Sequence, residues 1–368
     1  MYKSKIMLNI KSDFNNIDFN NLYKINYDHV IINDVKNKTF SHNNLKDHVG
    51  GVNQHNYLTH YKNLFFIMWS DGPGIEDRVG QIVKFSTSTD GLNWAEPKNL
   101  SEYPYESDPK SKYYGIRTDK GFRQISRGFW QRENDLLALV AVDEAGDFFG
   151  KSLKLFAYNY NSKLNSWEME GLISENSINN FPPKKVNNNL WMMSRRTYDY
   201  KNIGVYFMIG GIKSLSSWEY IKVQFNDLLQ AEEPFWWELK DGTLVAMFRD
   251  IKKSGFIFRS ISYDFGRNWT KPVKTNFPDA RSKFYGLHLK NGKYILISNT
   301  NQKKRDPLTI AISDDGILFN KIAYLIGNRQ VDYPHAIEIN NYLYVAFSGA
   351  KQSVELLKFK TSELNKIN

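Results

Sequence analysis

Three observations in the sequence predict an all-β fold, a six-bladed β-propeller. First, short apolar strands opened by Asn, Asp or Gly turns recur along the chain, at 63–69, 134–140, 241–248, 291–297 and 340–346. Second, each is preceded by another strand, and these first strands begin near Val52, Arg123, Lys184, Glu233, Lys283 and Tyr333. The last three intervals are 49 (184 to 233), 50 (233 to 283) and 50 (283 to 333) residues. Short strands repeating about every 40–50 residues are the pattern of propeller blades. Third, no stretch carries apolar residues at the helical period of about 3.6.

Taken in order, residues 1–47 are rich in Asn, Lys and Asp, but 24–33 alternate well enough for one strand. The segment after Tyr333 has room for about three strands of a four-stranded blade. The strand near Tyr27 would supply the missing outer strand and close the ring, which removes free sheet edges. The first interval, 71 residues from 52 to 123, is long enough to hold a further blade, so seven blades is the alternative. No linker divides the chain, and residues 1–368 read as a single domain.

Hydrophobic residues at 41% and aromatics at 15% suffice for a core, and 11 prolines with 23 glycines are too few for low-complexity disorder. Cys is 0, which excludes a disulfide framework and thiolate metal sites. The first ten residues carry charge and no long apolar run, so no secretory signal is read; the chain is expected to be cytoplasmic or already trimmed. No run approaches about 18 uninterrupted apolar residues, and no membrane span is expected. The net charge of +10 suits an acidic ligand. No nucleic-acid motif or dense basic run accompanies it, and an anionic oligosaccharide or polysaccharide fits the expected propeller fold better than nucleic acid. Neither a His-x-x-x-His motif nor an Asp-rich calcium loop occurs. No cofactor is expected, with a cation on the propeller axis left open.

The string Ser262-Tyr263-Asp264-Phe265-Gly266-Arg267-Asn268-Trp269 reads as a hairpin turn. Asp264 is placed to accept backbone N–H groups, Gly266 supplies left-handed backbone, and Trp269 folds back onto the blade. Shortened copies occur at Ser88-Thr89-Asp90-Gly91-Leu92-Asn93-Trp94 and Ser313-Asp314-Asp315-Gly316-Ile317-Leu318-Phe319. In all three the Gly lies three residues before the aromatic. The string resembles the Asp-box of sialidase-type (BNR-repeat) propellers. It marks a fold, not an active site.

That resemblance implies a pocket on the ring axis, lined by residues at the starts of the inner strands. It implies three Arg for a substrate carboxylate, an Asp acid, and a Tyr nucleophile paired with a Glu. A neutral phenol deprotonated by Glu attacks an anionic sugar at lower electrostatic cost than a carboxylate would. Glu232-Glu233-Pro234, followed by Trp236-Trp237-Glu238-Leu239-Lys240-Asp241-Gly242, resembles the family's Glu segment on the fourth blade. Arg249 lies 16 residues beyond Glu233, where the second Arg is expected, and Tyr333 opens the sixth blade, where the nucleophile is expected. The acid is Asp71 or Asp77. The third Arg, expected on the fifth blade, is Arg281 or Lys283, with Arg127 and His335 as further pocket candidates. The family's early Arg-Ile-Pro is absent, and its place is held by His48-Val49-Gly50-Gly51-Val52-Asn53-Gln54-His55.

The expected function is thus an exo-glycosidase acting on an acidic or deoxy sugar through Tyr333 and Glu233. The enzymatic alternative resembles propeller enzymes that cleave rhamnose–uronate linkages with His, Tyr and Arg, which are usually seven-bladed. His55, Tyr113 or Tyr114, Arg117, Arg123 and Arg127 form that set, with Arg neutralising the uronate beside the proton to be removed. The non-enzymatic alternative is a carbohydrate-binding propeller, since function lives in the site and not in the fold.

Overall fold

The computed structural model describes residues 17–42, 45–74, 76, 80–101, 122–144, 152–175, 177–187, 190–197, 204–225 and 231–367. It is all-β apart from one 3-10 turn at Thr361–Lys366. Six antiparallel sheets follow one another as blades, each running outward from its innermost strand in chain order except that the outermost strand of the last comes from the N-terminal part of the chain. The inner strands are Gly51–Tyr61, Phe122–Arg132, Ser177–Asn179 with Lys184–Val186, Ala231–Glu238, Tyr285–His288 and Val331–Ile339. The ring therefore has six blades rather than seven.

Asp28–Asp34 is the outer strand of blade 6, antiparallel to Ser353–Lys360. This is the closure expected of the N-terminal strand. A buried carboxylate reinforces it. Glu355 meets His29 Nε2 at 2.6 Å and takes both Arg329 terminal nitrogens at 2.6 and 2.5 Å. A hairpin, Thr39–His42 with Leu45–Val49, connects this strand to blade 1.

The apolar core is distributed between neighbouring blades. Phe66, Met68 and Val83 of blade 1 cluster with Phe129, Ala138 and Val140 of blade 2. Leu58, Phe65, Ile67 and Trp69 of blade 1 meet Tyr344, Ala346, Val354 and Leu356 of blade 6 across the seam of the ring. Burying each such large side chain contributes roughly 1.5–3 kcal/mol, so every blade depends on both neighbours.

The three Asp/Gly turns join the third and fourth strands of blades 1, 4 and 5, and each docks on the preceding blade. Asp90 Oδ1 accepts from the backbone N–H groups of Leu92 and Asn93 at 2.9 and 2.8 Å, and Asp315 Oδ1 repeats this with Ile317 and Leu318. Trp94 Nε1 donates to Gly91 O at 3.2 Å and Trp269 Nε1 to Gly266 O at 2.9 Å. The third turn ends in Phe319, and there Trp237 of blade 4 donates to Gly316 O at 3.1 Å. A Cβ on Gly91, at φ +76°, would stand 2.4 Å from the Tyr344 ring of blade 6. Trp269 stacks on Phe207 of blade 3 with ring centroids 4.4 Å apart.

Backbone and side-chain bonds from Asn93 and Leu92 hold the Asp90 carboxyl below the usual carboxylate range, so its contribution to stability is present above the unfolded pKa and is lost as pH falls through the folded one. Asp90→Ala is expected to lower unfolding free energy by about 0.5–1.5 kcal/mol at neutral pH through the loss of its turn hydrogen bonds. In urea unfolding the gap to the parent protein should narrow below about pH 4. A gap that does not change with pH would contradict this role for the carboxylate.

Candidate active site

The inner strands break their ladders where they pass the axis. The pairing register slips between Gln54 and Tyr57, Ser126 and Phe129, Glu232 and Phe235, and Asp332 and His335. In each slip one residue is left-handed: His55 (φ 56°), Gly128 (φ 98°), Glu233 (φ 47°) and Tyr333 (φ 56°). Bulges of this kind re-aim side chains, and a non-Gly residue held left-handed costs of order 1–3 kcal/mol. Arg281, just before the inner strand of blade 5, is left-handed as well, at φ 55°. Blade 3 achieves a comparable break by splitting its inner strand around Phe181-Pro182-Pro183.

These breaks bring most of the sequence-predicted residues together. The His55 ring stacks on Tyr333 with centroids 5.1 Å apart and planes 9° from parallel. Arg249 Nη1 bonds Glu233 Oε2 at 2.5 Å. Burial alone would lower Arg249, but Glu233 and Tyr333 outweigh it and hold its guanidinium above the usual range. Burial pushes the Tyr333 phenol up, Glu76 and Glu233 push the same way, and Lys351 and Arg305 oppose them. Burial and the adjacent Arg249 and Arg305 guanidiniums push Arg281 down, so these three arginines share one neighbourhood. Burial raises the Asp279 carboxyl to about 6, against the pull of Arg249.

Lys283 lies deeper. Its Nζ is 2.5 Å from Tyr57 Oη and 4.6 Å from the Phe181 ring centroid. Burial lowers it to about 7, with Glu233 opposing and Arg127 and Arg249 adding to the shift. Burial first, then Arg127, Lys283 and Lys351, hold His55 well below the usual histidine range, so its ring is neutral at neutral pH.

Other expectations meet a different environment. The Asp71 carboxylate accepts from Asn53 Nδ2 at 3.0 Å and Asn33 Nδ2 at 3.3 Å and pairs with Lys84 at 3.4 Å, a network tying blade 1 to the closing strand. His335 accepts from the Leu58 backbone N–H at 3.2 Å and packs on Tyr285 and Tyr57. Burial lowers it to about 3. Arg123 pairs with buried Asp143 at 2.8 Å. Asp77, Tyr113, Tyr114 and Arg117 lie outside the described residues.

Three charged neighbours of Tyr333 were not singled out by sequence. Glu76, one residue before Asp77, bonds Lys351 Nζ at 2.6 Å. Lys351 Nζ lies 5.3 Å from the Tyr333 ring centroid, and the Arg305 guanidinium 5.6 Å from it. Arg305 is held by Asp332 Oδ1 at 2.6 Å and by the Arg281 carbonyl at 2.8 Å. The fifth-blade position of Arg305 was a usable signal, but residues 299–304 separate it from the strand Tyr294–Ser298, whereas Arg249 lies within its own strand. Among the described residues no group of three or more His, Asp or Glu is arranged to hold a metal ion, and no helix is long and apolar enough to cross a membrane.

Residues 201–345 match the BNR repeat-like domain. No curated protein sequence matches the chain. Among solved structures, a Dyadobacter fermentans protein of unknown function superposes with a TM-score of 0.69 at 14% identity, covering 90% of this chain and 97% of its own. The Trypanosoma rangeli sialidase bound to the inhibitor DANA gives a TM-score of 0.67 at 12% identity, over 92% of this chain and 60% of that enzyme. The leech intramolecular trans-sialidase gives 0.68 at 12% identity, over 91% and 70%. The chain has the six-bladed β-propeller fold of these structures, and its residues 201–345 match the BNR repeat-like domain.

Proposed function

We propose that the protein is a glycoside hydrolase that removes an anionic terminal sugar through a covalent tyrosyl intermediate. The observation that carries this reading is the joint placement of Tyr333, Glu233 and Arg249. Two of them occupy left-handed bulge positions on blades 4 and 6, and the third is bonded to Glu233 at 2.5 Å.

In the proposed reaction Arg249, Arg281 and Arg305 receive the sugar's anionic group. Among the described residues of blade 1 no Arg joins them; His55 stands there and stacks on Tyr333. Fixed cations in a water-poor pocket stabilise charge at little reorganisation cost. The phenol oxygen of Tyr333 forms a bond to the anomeric carbon as the glycosidic carbon–oxygen bond breaks, and Glu233 takes the phenol proton. The leaving oxygen takes a proton from Glu76 or Asp77, which follow the second strand of blade 1 in sequence. Water then attacks the anomeric carbon, giving its proton to the Glu76 or Asp77 carboxylate, as the bond to Tyr333 breaks and the phenolate recovers its proton from Glu233. Arg127 and Lys283 add positive charge to the pocket floor. The bonds that occupy Asp71 favour a structural role for it, and those of His335 do likewise.

The testing experiment is a product assay on sialosides, rhamnose–glucuronate oligosaccharides and sulfated algal oligosaccharides, reading both released sugar and the ultraviolet absorbance of an unsaturated uronate. Released monosaccharide without absorbance is expected. Absorbance would replace hydrolysis by elimination, and binding without any product would leave a carbohydrate-binding propeller. Tyr333→Phe is expected to abolish turnover while the melting transition is retained, and full activity in that folded variant overturns the mechanism.

Lys283 gives a pH test. With its folded-state value near 7, it carries its charge below that pH and loses it above. KM for the anionic substrate is therefore expected to rise as pH increases through about 7, and Lys283→Met should flatten that rise. An unchanged KM profile in the variant would remove Lys283 from substrate binding.

A further inference from the structure

A cleft of about 610 Å³ lies beside the axial pocket, between blades 5 and 6. It is lined by Lys303, Lys304, Arg305, Arg329 and Lys351, with Asp306 as its one carboxylate and Asn328 and Gln330 as neutral groups. Arg305 and Lys351 belong to both sites, because each also lies within 6 Å of the Tyr333 ring. The volume falls within the range of about 300–1,000 Å³ typical of small-molecule pockets.

The cleft's charges are of two kinds. Arg305 and Arg329 are each anchored from behind by a fully buried carboxylate, Asp332 and Glu355. Anchoring fixes these guanidiniums in place and largely offsets their charge. Lys303 and Lys304 are exposed, form no ion pair among the described residues, and have their backbone N–H groups bound to Asn301 Oδ1 at 2.9 and 3.3 Å. Asp306 is turned to the Asn328 backbone N–H at 2.9 Å. The uncompensated charge is thus positive and sits on the two lysines at the rim, where it acts on ligands entering the axial pocket.

We infer that this cleft binds a second anionic group of the substrate, a carboxylate or sulfate ester on the sugar next to the one that is released. The inference rests on the glycan reading of the axial pocket and narrows its substrate class to polyanionic glycans. A ligand that fills the Tyr333 pocket and leaves past Arg305 and Lys351 places its next residue in the cleft. A singly charged sialoside would leave that positive surface unused.

Binding can be read without turnover. Calorimetry on Tyr333→Phe protein would compare a uronate oligosaccharide, a sulfated oligosaccharide and a neutral oligosaccharide of equal length. A Lys303→Glu, Lys304→Glu double substitution in the same background is expected to weaken the anionic ligands by about tenfold or more, with the loss shrinking as salt is raised. The neutral oligosaccharide should bind both forms alike. The two anionic arms distinguish carboxylate from sulfate as the preferred group. Equal affinity of both forms for the anionic ligands overturns the cleft assignment, and so does a single-stranded DNA oligonucleotide that binds as tightly as either glycan, since that marks a generic polyanion surface. Because no product is measured, a failed glycosidase reading leaves this result intact, and a failed cleft leaves the hydrolase assay intact.

Discussion

The pocket exists because the inner strands abandon their own hydrogen-bond ladders at the axis. A regular strand alternates its side chains between the two faces of its sheet, and both faces of a propeller blade are covered by neighbouring blades. Only a local departure from that alternation turns a side chain toward the centre. Here the departures are left-handed residues, and they coincide with the chemically versatile positions His55, Glu233, Arg281 and Tyr333. Four non-Gly residues in this conformation are a local cost that the surrounding ring must outweigh. The apolar clusters between blades and the three Asp/Gly turns supply that rigidity, which is also what preorganisation of a charged site requires.

The electrostatics follow from this backbone. Cations converge on one side of the pocket from blades 4, 5 and 6, and most are matched by carboxylates set behind or beside them: Glu233 for Arg249, Asp332 for Arg305, Glu76 for Lys351. The result is a lattice of alternating charge around a buried phenol. An incoming anion does not face a bare positive hole. In the proposed reaction it would exchange partners with the carboxylates already present, and that exchange would free Glu233 to accept the phenol proton.

Much of the fold was legible because its signals are local and repeated. The spacing of first strands needs only the apolar runs, and each Asp/Gly turn is written within eight residues. Glu233, Arg249 and Tyr333 were legible for the same reason: they stand at regular places within their blades. The rest depends on facts a linear pattern does not hold. Asp71 is an acidic residue at the right end of a strand, but the face it takes sends it to Asn53, Asn33 and Lys84. Arg305 escaped because an irregular stretch displaces it from its strand, and Glu76 because the resemblance implies an Asp acid and the two aspartates Asp71 and Asp77 flank it. His335, beside Tyr333 in sequence, lies beyond the bulge and so points into packed aromatic side chains.

The stack of His55 on Tyr333 has a further consequence. The two rings belong to the first and last blades, which meet at the seam where the closing strand Asp28–Asp34 joins Ser353–Lys360. Nearby contacts cross the same seam, including Ser348 Oγ to the Asn53 carbonyl and the Leu58 amide to His335. The phenol thus acquires its surroundings only when the two ends of the ring have met. The site is therefore complete only in the closed ring, and a ring sprung at the seam carries every residue of the pocket without having a pocket.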